Sequence, residues 1–190
     1  MFGSRANNTG WGNSSNNNPF VNPPATKVGT KGMFAMLFLG HLALFANAAY
    51  SEPSLPQPVD LRQEAKLVRN TGKPLVLLFS LPDCAFCTEV RRNYLTPLIR
   101  DLPVAQRPVV REVVIGSDRT LLDFDGAAIT QQAFAARYKA KVAPTVIMMD
   151  AAGKSLAEPI IGAGMAGFYG AFLDRAIEQA EHALEKTAQH

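Results

Sequence analysis

Two cysteines are present in the 190-residue chain, Cys84 and Cys87, with only Ala85 and Phe86 between them. A disulfide that staples a secreted domain joins distant segments and lowers the entropy of the unfolded chain. A bridge across two residues closes almost no loop and contributes little in that way. The chemistry open to so close a pair is thiol–disulfide exchange. One thiolate attacks a foreign disulfide, a mixed disulfide forms, and the second cysteine, one helical turn on, displaces the product. The first thiol must ionise. A position at a helix start favours this, because free backbone N–H groups and the helix dipole draw the thiol below the ~8.5 of a free cysteine. Cys84 is then the nucleophile and Cys87 the buried resolver.

Other chemistries fit these residues poorly. Structural zinc takes four N or S ligands, and only two thiols are present; His182 and His190, at the end of the chain, read as solvated surface residues. Covalent haem needs a histidine directly after the second cysteine, where Thr88 stands. Asp123-Phe124-Asp125-Gly126 is acidic enough to suggest calcium but reads better as a surface turn. Arg91-Arg92 reads as a solvated helix face and Met148-Met149 as core. No metal and no organic cofactor is expected beyond the redox-active cysteine pair itself. The net charge of +3 comes from Arg5, Lys27 and Lys31, since no acid precedes Glu52 and the rest of the chain is balanced. The domain therefore has no basic excess with which to bind nucleic acid.

The elements that must position the pair can be read from periodicity. Leu61, Ala65 and Val68 recur at helical spacing, closed by Gly72. Leu75 to Phe79 is a continuous apolar run that suits a strand buried on both faces. Leu81-Pro82-Asp83 turns the chain, with Asp83 as a turn or N-cap residue, and Cys84 opens a helix carried on by Val90, Tyr94 and Leu95. Thr96-Pro97 looks like an N-cap and first helical residue, so a new helix is expected there. Val109 to Ile115 predicts a second strand, and Gly116 to Gly126 is polar and turn-rich. Thr130 caps a helix through Tyr138. Thr145 to Met149 predicts a third strand, Asp150 to Lys154 a hairpin turn, and Leu156 to Ile161 a fourth strand that Pro159 confines to an edge. A last helix is expected from Ala166 to Lys186, with Phe168, Phe172, Ala176, Ala180 and Leu184 inward. The order α-β-α-β-α-β-β-α gives an α/β domain, a central mixed four-stranded sheet flanked by helices.

With Cys84-Ala85-Phe86-Cys87 after the first strand and Val142-Ala143-Pro144-Thr145 before the third, the constellation resembles the thioredoxin superfamily from about Leu61 to Ala183. The resemblance implies a thioredoxin fold in which Pro144 is a cis proline packed against the cysteine pair. It also implies that the Ala143 backbone pairs with an incoming peptide, so that Ala143 and Pro144 bind substrate. Asp123-Phe124-Asp125-Gly126, Ala135-Ala136-Arg137-Tyr138 and Gly153-Lys154 add a resemblance to the periplasmic SoxW- or SoxS-like thioredoxins of bacterial sulfur oxidation, which keep partner thiols reduced. The partners this implies are a protein thiol or disulfide and, as electron donor, a membrane thiol transporter of the DsbD or CcdA kind; a monomer is the default. Two departures stand out. Asp83 replaces the usual Trp, and Leu78 stands where the superfamily has a buried Asp, six residues before the first cysteine. No histidine lies between the cysteines, which favours a reductase over a DsbA-like oxidase. A thioredoxin-fold binding module without redox activity is a further alternative.

Residues 1–32 are Asn-, Gly- and Ser-rich and read as a disordered tail. Residues 33–48 form an apolar run after Lys27 and Lys31 that ends in Ala46-Asn47-Ala48, the small-x-small form of a signal cleavage site. A cleaved export signal is expected, with a membrane anchor as the alternative. Residues 49–58, with Pro53, Pro56 and Pro58, read as a linker before a domain at 59–190. The expected location is the periplasm, free or anchored to the inner membrane.

Overall fold

The computed structural model describes residues 54–164 and 167–189. The tail, the apolar run, the start of the linker and the Ala166 start of the last helix lie outside the described residues. Helix α1 (Leu61–Thr71) is capped by Asp60, whose carboxylate accepts from the Arg62 N–H, and ends at Gly72 in the left-handed conformation. Its buried face, Leu61, Ala65 and Val68, is the one the spacing predicts. Strand β1 (Leu75–Ser80) is buried throughout, as its unbroken apolar run requires. It pairs in parallel with β2 (Val109–Val114) and antiparallel with β5 (Thr145–Met149), which carries the two-residue edge strand β6 (Ile160–Ile161). The mixed sheet has the order β2-β1-β5-β6.

One face of the sheet packs Val76, Leu78, Val110, Val146 and Met148 against Val90, Leu95, Tyr169 and Leu173. The opposite face packs Leu75, Leu77, Phe79, Val113 and Met149 against Leu61, Val68 and Phe134. Helix α2 (Ala85–Val90) runs through a π-helical segment (Arg91–Leu95) directly into α3 (Thr96–Arg100). A helix does begin at Thr96, but Thr96 does not cap it. Leu95 already has helical backbone angles, and the Thr96 hydroxyl is buried without a partner. The wider π turn, in which the Thr96 N–H bonds the Arg91 carbonyl, lets the chain pass Pro97 without a break.

Three further expectations need correction. The turn-rich stretch after Gly116 contains a hairpin, β3 (Thr120–Leu122) with β4 (Ala128–Thr130), whose turn is Asp123 to Ala127. Helix α4 (Gln131–Arg137) follows it, with the Thr130 hydroxyl accepting from the Ala133 N–H. The predicted strand from Leu156 is regular only at Ile160–Ile161, because Ser155 and Leu156 make single contacts with β5 before Pro159 interrupts. Helix α5 (Tyr169–Ala188) turns Tyr169, Leu173, Ala176 and Ala180 inward, leaving Phe168 68% and Phe172 41% exposed. Ala176 and Ala180 are buried as predicted, but in the first two turns Tyr169 and Leu173 take the inward positions, so the two phenylalanines fall outside the stripe. Met148 and Met149 are core, as read.

Candidate active site

Cys84 stands at the junction between the end of β1 and the start of α2. Asp83 takes a left-handed turn (φ 53°) and is exposed, so it bends the chain rather than capping the helix. The capping group is Cys84 itself: its sulfur accepts the Cys87 backbone N–H at 3.1 Å. The two sulfurs are joined as a disulfide, with the Cα atoms 5.2 Å apart. Cys84 is half-buried and Cys87 fully buried, so an attacking thiol can reach only one sulfur readily. Phe86, between them, is 61% exposed. A thiolate released at Cys84 would sit on an N–H donor at the open end of a helical run, which is the physical condition for stabilising it.

The strand register sets the remainder of the site. Thr145 lies opposite Phe79, so the start of β5 and the end of β1 share one end of the sheet. Ala143, half-buried, and Pro144, buried, precede Thr145 at that end, joined by a cis peptide bond. The loop is held by the Thr145 hydroxyl, which donates to the Val142 carbonyl at 2.7 Å. The Gly162 N–H donates to the Pro144 carbonyl at 2.7 Å. Exposed Val142 and Leu81 add apolar surface at the same end.

Beside Cys84 opens a groove of about 470 Å³, lined among others by Gln57, Ser80, Thr88, Arg91 and Glu112. Here Arg91 departs from the solvated-face reading, which suits exposed Arg92 alone. The Arg91 guanidinium donates to both Glu112 oxygens, from Nη2 at 2.6 Å and from Nε at 3.1 Å. Glu112 is 5% exposed and is the register partner of Leu78. The sequence reading places Arg91 on a solvated face and does not single out Glu112. The available signal was Arg111-Glu112 inside a run of valines, since charges in a buried strand require partners. Asp123 is also buried and paired, with Arg137, and belongs to the hairpin turn. Among the described residues no group of three His, Cys, Asp or Glu is placed to hold a metal ion. No described helix is long and apolar enough to cross a membrane.

A family model described as a thioredoxin-like domain matches residues 61–167, more than half of the chain, including both cysteines and the Ala143-Pro144 loop. The chain belongs to the thioredoxin-like family. Solved thioredoxin folds resemble it at low identity. Fasciola hepatica thioredoxin is 18% identical over 66% of this chain and 99% of its own, with a TM-score of 0.43. The oxidised C-terminal domain of Neisseria meningitidis DsbD is 18% identical over 60% and 90%, with a TM-score of 0.43. A structure described as DsbH oxidoreductase is 17% identical over 67% and 88%, with a TM-score of 0.45. No curated protein matches the sequence. As a thioredoxin-like domain the chain has the mixed sheet and the close cysteine pair of an oxidoreductase family.

Proposed function

We propose that the protein is an exported thiol–disulfide reductase that keeps cysteines of partner proteins reduced. The observation that carries this reading is the asymmetry of the pair: a half-exposed Cys84 on a helix-start N–H donor, bonded to a fully buried Cys87. Reduced Cys84 attacks the substrate disulfide, and Cys87 resolves the mixed disulfide by displacing the substrate thiol. The Ala143 backbone, ahead of Pro144 at the same end of the sheet, pairs with the substrate chain while Cys84 reacts. The apolar run at 33–48 and its small-x-small end support export to the periplasm. There a membrane thiol transporter would supply electrons. The absence of histidine between the cysteines supports the reducing direction, and the motifs shared with SoxW-like thioredoxins support substrates in sulfur oxidation.

Insulin reduction with a dithiol donor, compared with Cys84→Ser, tests the exchange chemistry; inactivity of the unaltered chain defeats it. The redox potential against glutathione tests the direction. A value near −120 mV, the range of a strong oxidant, would replace reductase by oxidase.

A further inference from the structure

Glu112 takes no part in the exchange as described, yet it is a buried carboxylate lining the same groove as Cys84. Burying such a group is costly unless a partner and hydrogen bonds compensate, and Arg91 supplies both. Several independent features tie the pair to the site. Arg91 lies one helical turn beyond Cys87, and its backbone N–H bonds the Cys87 and Thr88 carbonyls. It is the first residue of the π-helical segment, a feature that is rare within helices and concentrated at functional sites. Its guanidinium also faces the Thr88 hydroxyl at 3.4 Å. Glu112 lies beside Leu78 on the strand next to the one that delivers Cys84. Arg91, Glu112 and Cys84 line one groove.

The two charges act on Cys84 in opposite senses. A guanidinium nearby favours the thiolate and a carboxylate opposes it. Alone, Arg91 would add to the helix start and make Cys84 strongly acidic. A thiolate stabilised that far stabilises the reduced protein, which makes it an electron acceptor. Glu112 offsets that push. Asp83 is the other charged group lining the groove, and Arg119 reaches its rim through the Gln57 side chain at 2.9 Å. Ser54, Ser80 and Thr88 are uncharged.

We propose that Arg91 and Glu112 are a positioning pair that sets the ionisation of Cys84, with Glu112 holding the protein in the electron-donating range. This rests on the exchange chemistry proposed above. In that reaction the Cys84 thiol releases its proton to water in the groove, and the thiolate bonds one sulfur of the substrate disulfide. The electron pair of the broken bond leaves on the other substrate sulfur, which takes up a proton from water. Cys87 then loses its proton, bonds the Cys84 sulfur and releases the second substrate thiol. Two electrons pass from the dithiol to the substrate. The pair acts on the first deprotonation without touching the reacting atoms.

The test is a titration of thiolate absorbance on the full chain, together with its equilibrium against glutathione. In Glu112→Gln the acidity constant of Cys84 rises about tenfold, one pKa unit, and the glutathione equilibrium moves toward reduced protein. In Arg91→Gln both move in the opposite direction. The double variant returns both close to the starting values, and Arg91→Lys keeps them there. Ionisation that stays fixed in both single variants, or moves the same way in both, overturns the proposal. If the single variants do not fold, the unaltered chain still decides. The 13C resonance of the Glu112 carboxyl must then change between oxidised and reduced protein as Cys84 ionises, and an unchanged resonance overturns the proposal. Loss of insulin reduction in the unaltered chain would instead overturn the exchange reading beneath it.

Discussion

Neighbouring residues of β2 make ion pairs on opposite faces of the same sheet, and the two are built differently. Glu112 faces the site side and receives two hydrogen bonds from Arg91. Arg111 faces away, with its Nη2 2.7 Å from Glu64 Oε2 but without hydrogen-bond alignment to it. Glu64 anchors α1 to the far face; Glu112 anchors the active-site helical run to the near one. Each face also packs a tyrosine, half-buried Tyr138 on the far side and buried Tyr169 on the near one. On the far face the Tyr138 hydroxyl donates to the Gly153 carbonyl at 2.9 Å, whereas on the near face the Tyr169 hydroxyl is buried without a partner. The contrast teaches that burial alone does not set the quality of a polar contact. The two-point contact is found beside the cysteine pair, and the looser one where the contact only joins a helix to a sheet.

The largest expected break lies at the near face. Cys84→Ser should reduce insulin turnover to background, while Cys87→Ser should retain the first attack and accumulate a mixed disulfide visible by mass spectrometry. Stability should separate the two ion pairs next. Glu112→Ala strands the Arg91 cation and is expected to cost about 3–5 kcal/mol in urea unfolding. Glu64→Ala, which removes a contact without hydrogen-bond alignment, should cost about 1–2 kcal/mol. Equal losses would erase the distinction drawn here.

The tyrosines give the smallest effects. Tyr138→Phe loses a hydrogen bond worth about 1 kcal/mol, and Tyr169→Phe should be neutral or slightly stabilising. Alkaline unfolding sharpens the contrast. Burial raises the pKa of both phenols and so disfavours their ionisation, with Asp123 adding to the rise at Tyr138 and Tyr94 at Tyr169. A raised value means that the fold holds the neutral phenol. That stabilisation is complete below the unfolded value of about 10 and is lost as pH rises from there through the folded values. Tyr169, whose shift is large, should dominate, so Tyr169→Phe should flatten the alkaline limb of a stability–pH curve more than Tyr138→Phe does.

Legibility in the sequence followed the strength of the local pattern. Strands β1 and β5 are short, mainly apolar runs and β2 is a valine-rich one, each with one plausible structure, and Gly72 and Thr130 mark helix ends through their own chemistry. The β3–β4 hairpin has three-residue strands with no period to detect, and its order comes from tertiary contacts such as Asp123 with Arg137. Hydrophobicity points Phe168 and Phe172 inward along with Ala176 and Ala180, but packing at the start of the helix buries the adjacent Tyr169 and Leu173 instead. Cys84 and Cys87 announced themselves by spacing. Arg91 and Glu112 are separated by a helix and a loop, so only the fold could join them.

The short stretch before α1 has a consequence for how the sheet meets other chains. Strand β2 is an edge, and open edges invite pairing with foreign strands. Leu55 is buried against the core, the Pro56 carbonyl accepts the Glu112 N–H at 3.0 Å, and the Val59 carbonyl accepts the Leu122 N–H at 2.9 Å. The proline-rich segment therefore caps this flank, and proline has no N–H with which to prolong a ladder. The other flank, β6, is only two residues long with Pro159 just before it. A sheet blunted on both sides resists sideways, fibre-like growth by strand addition.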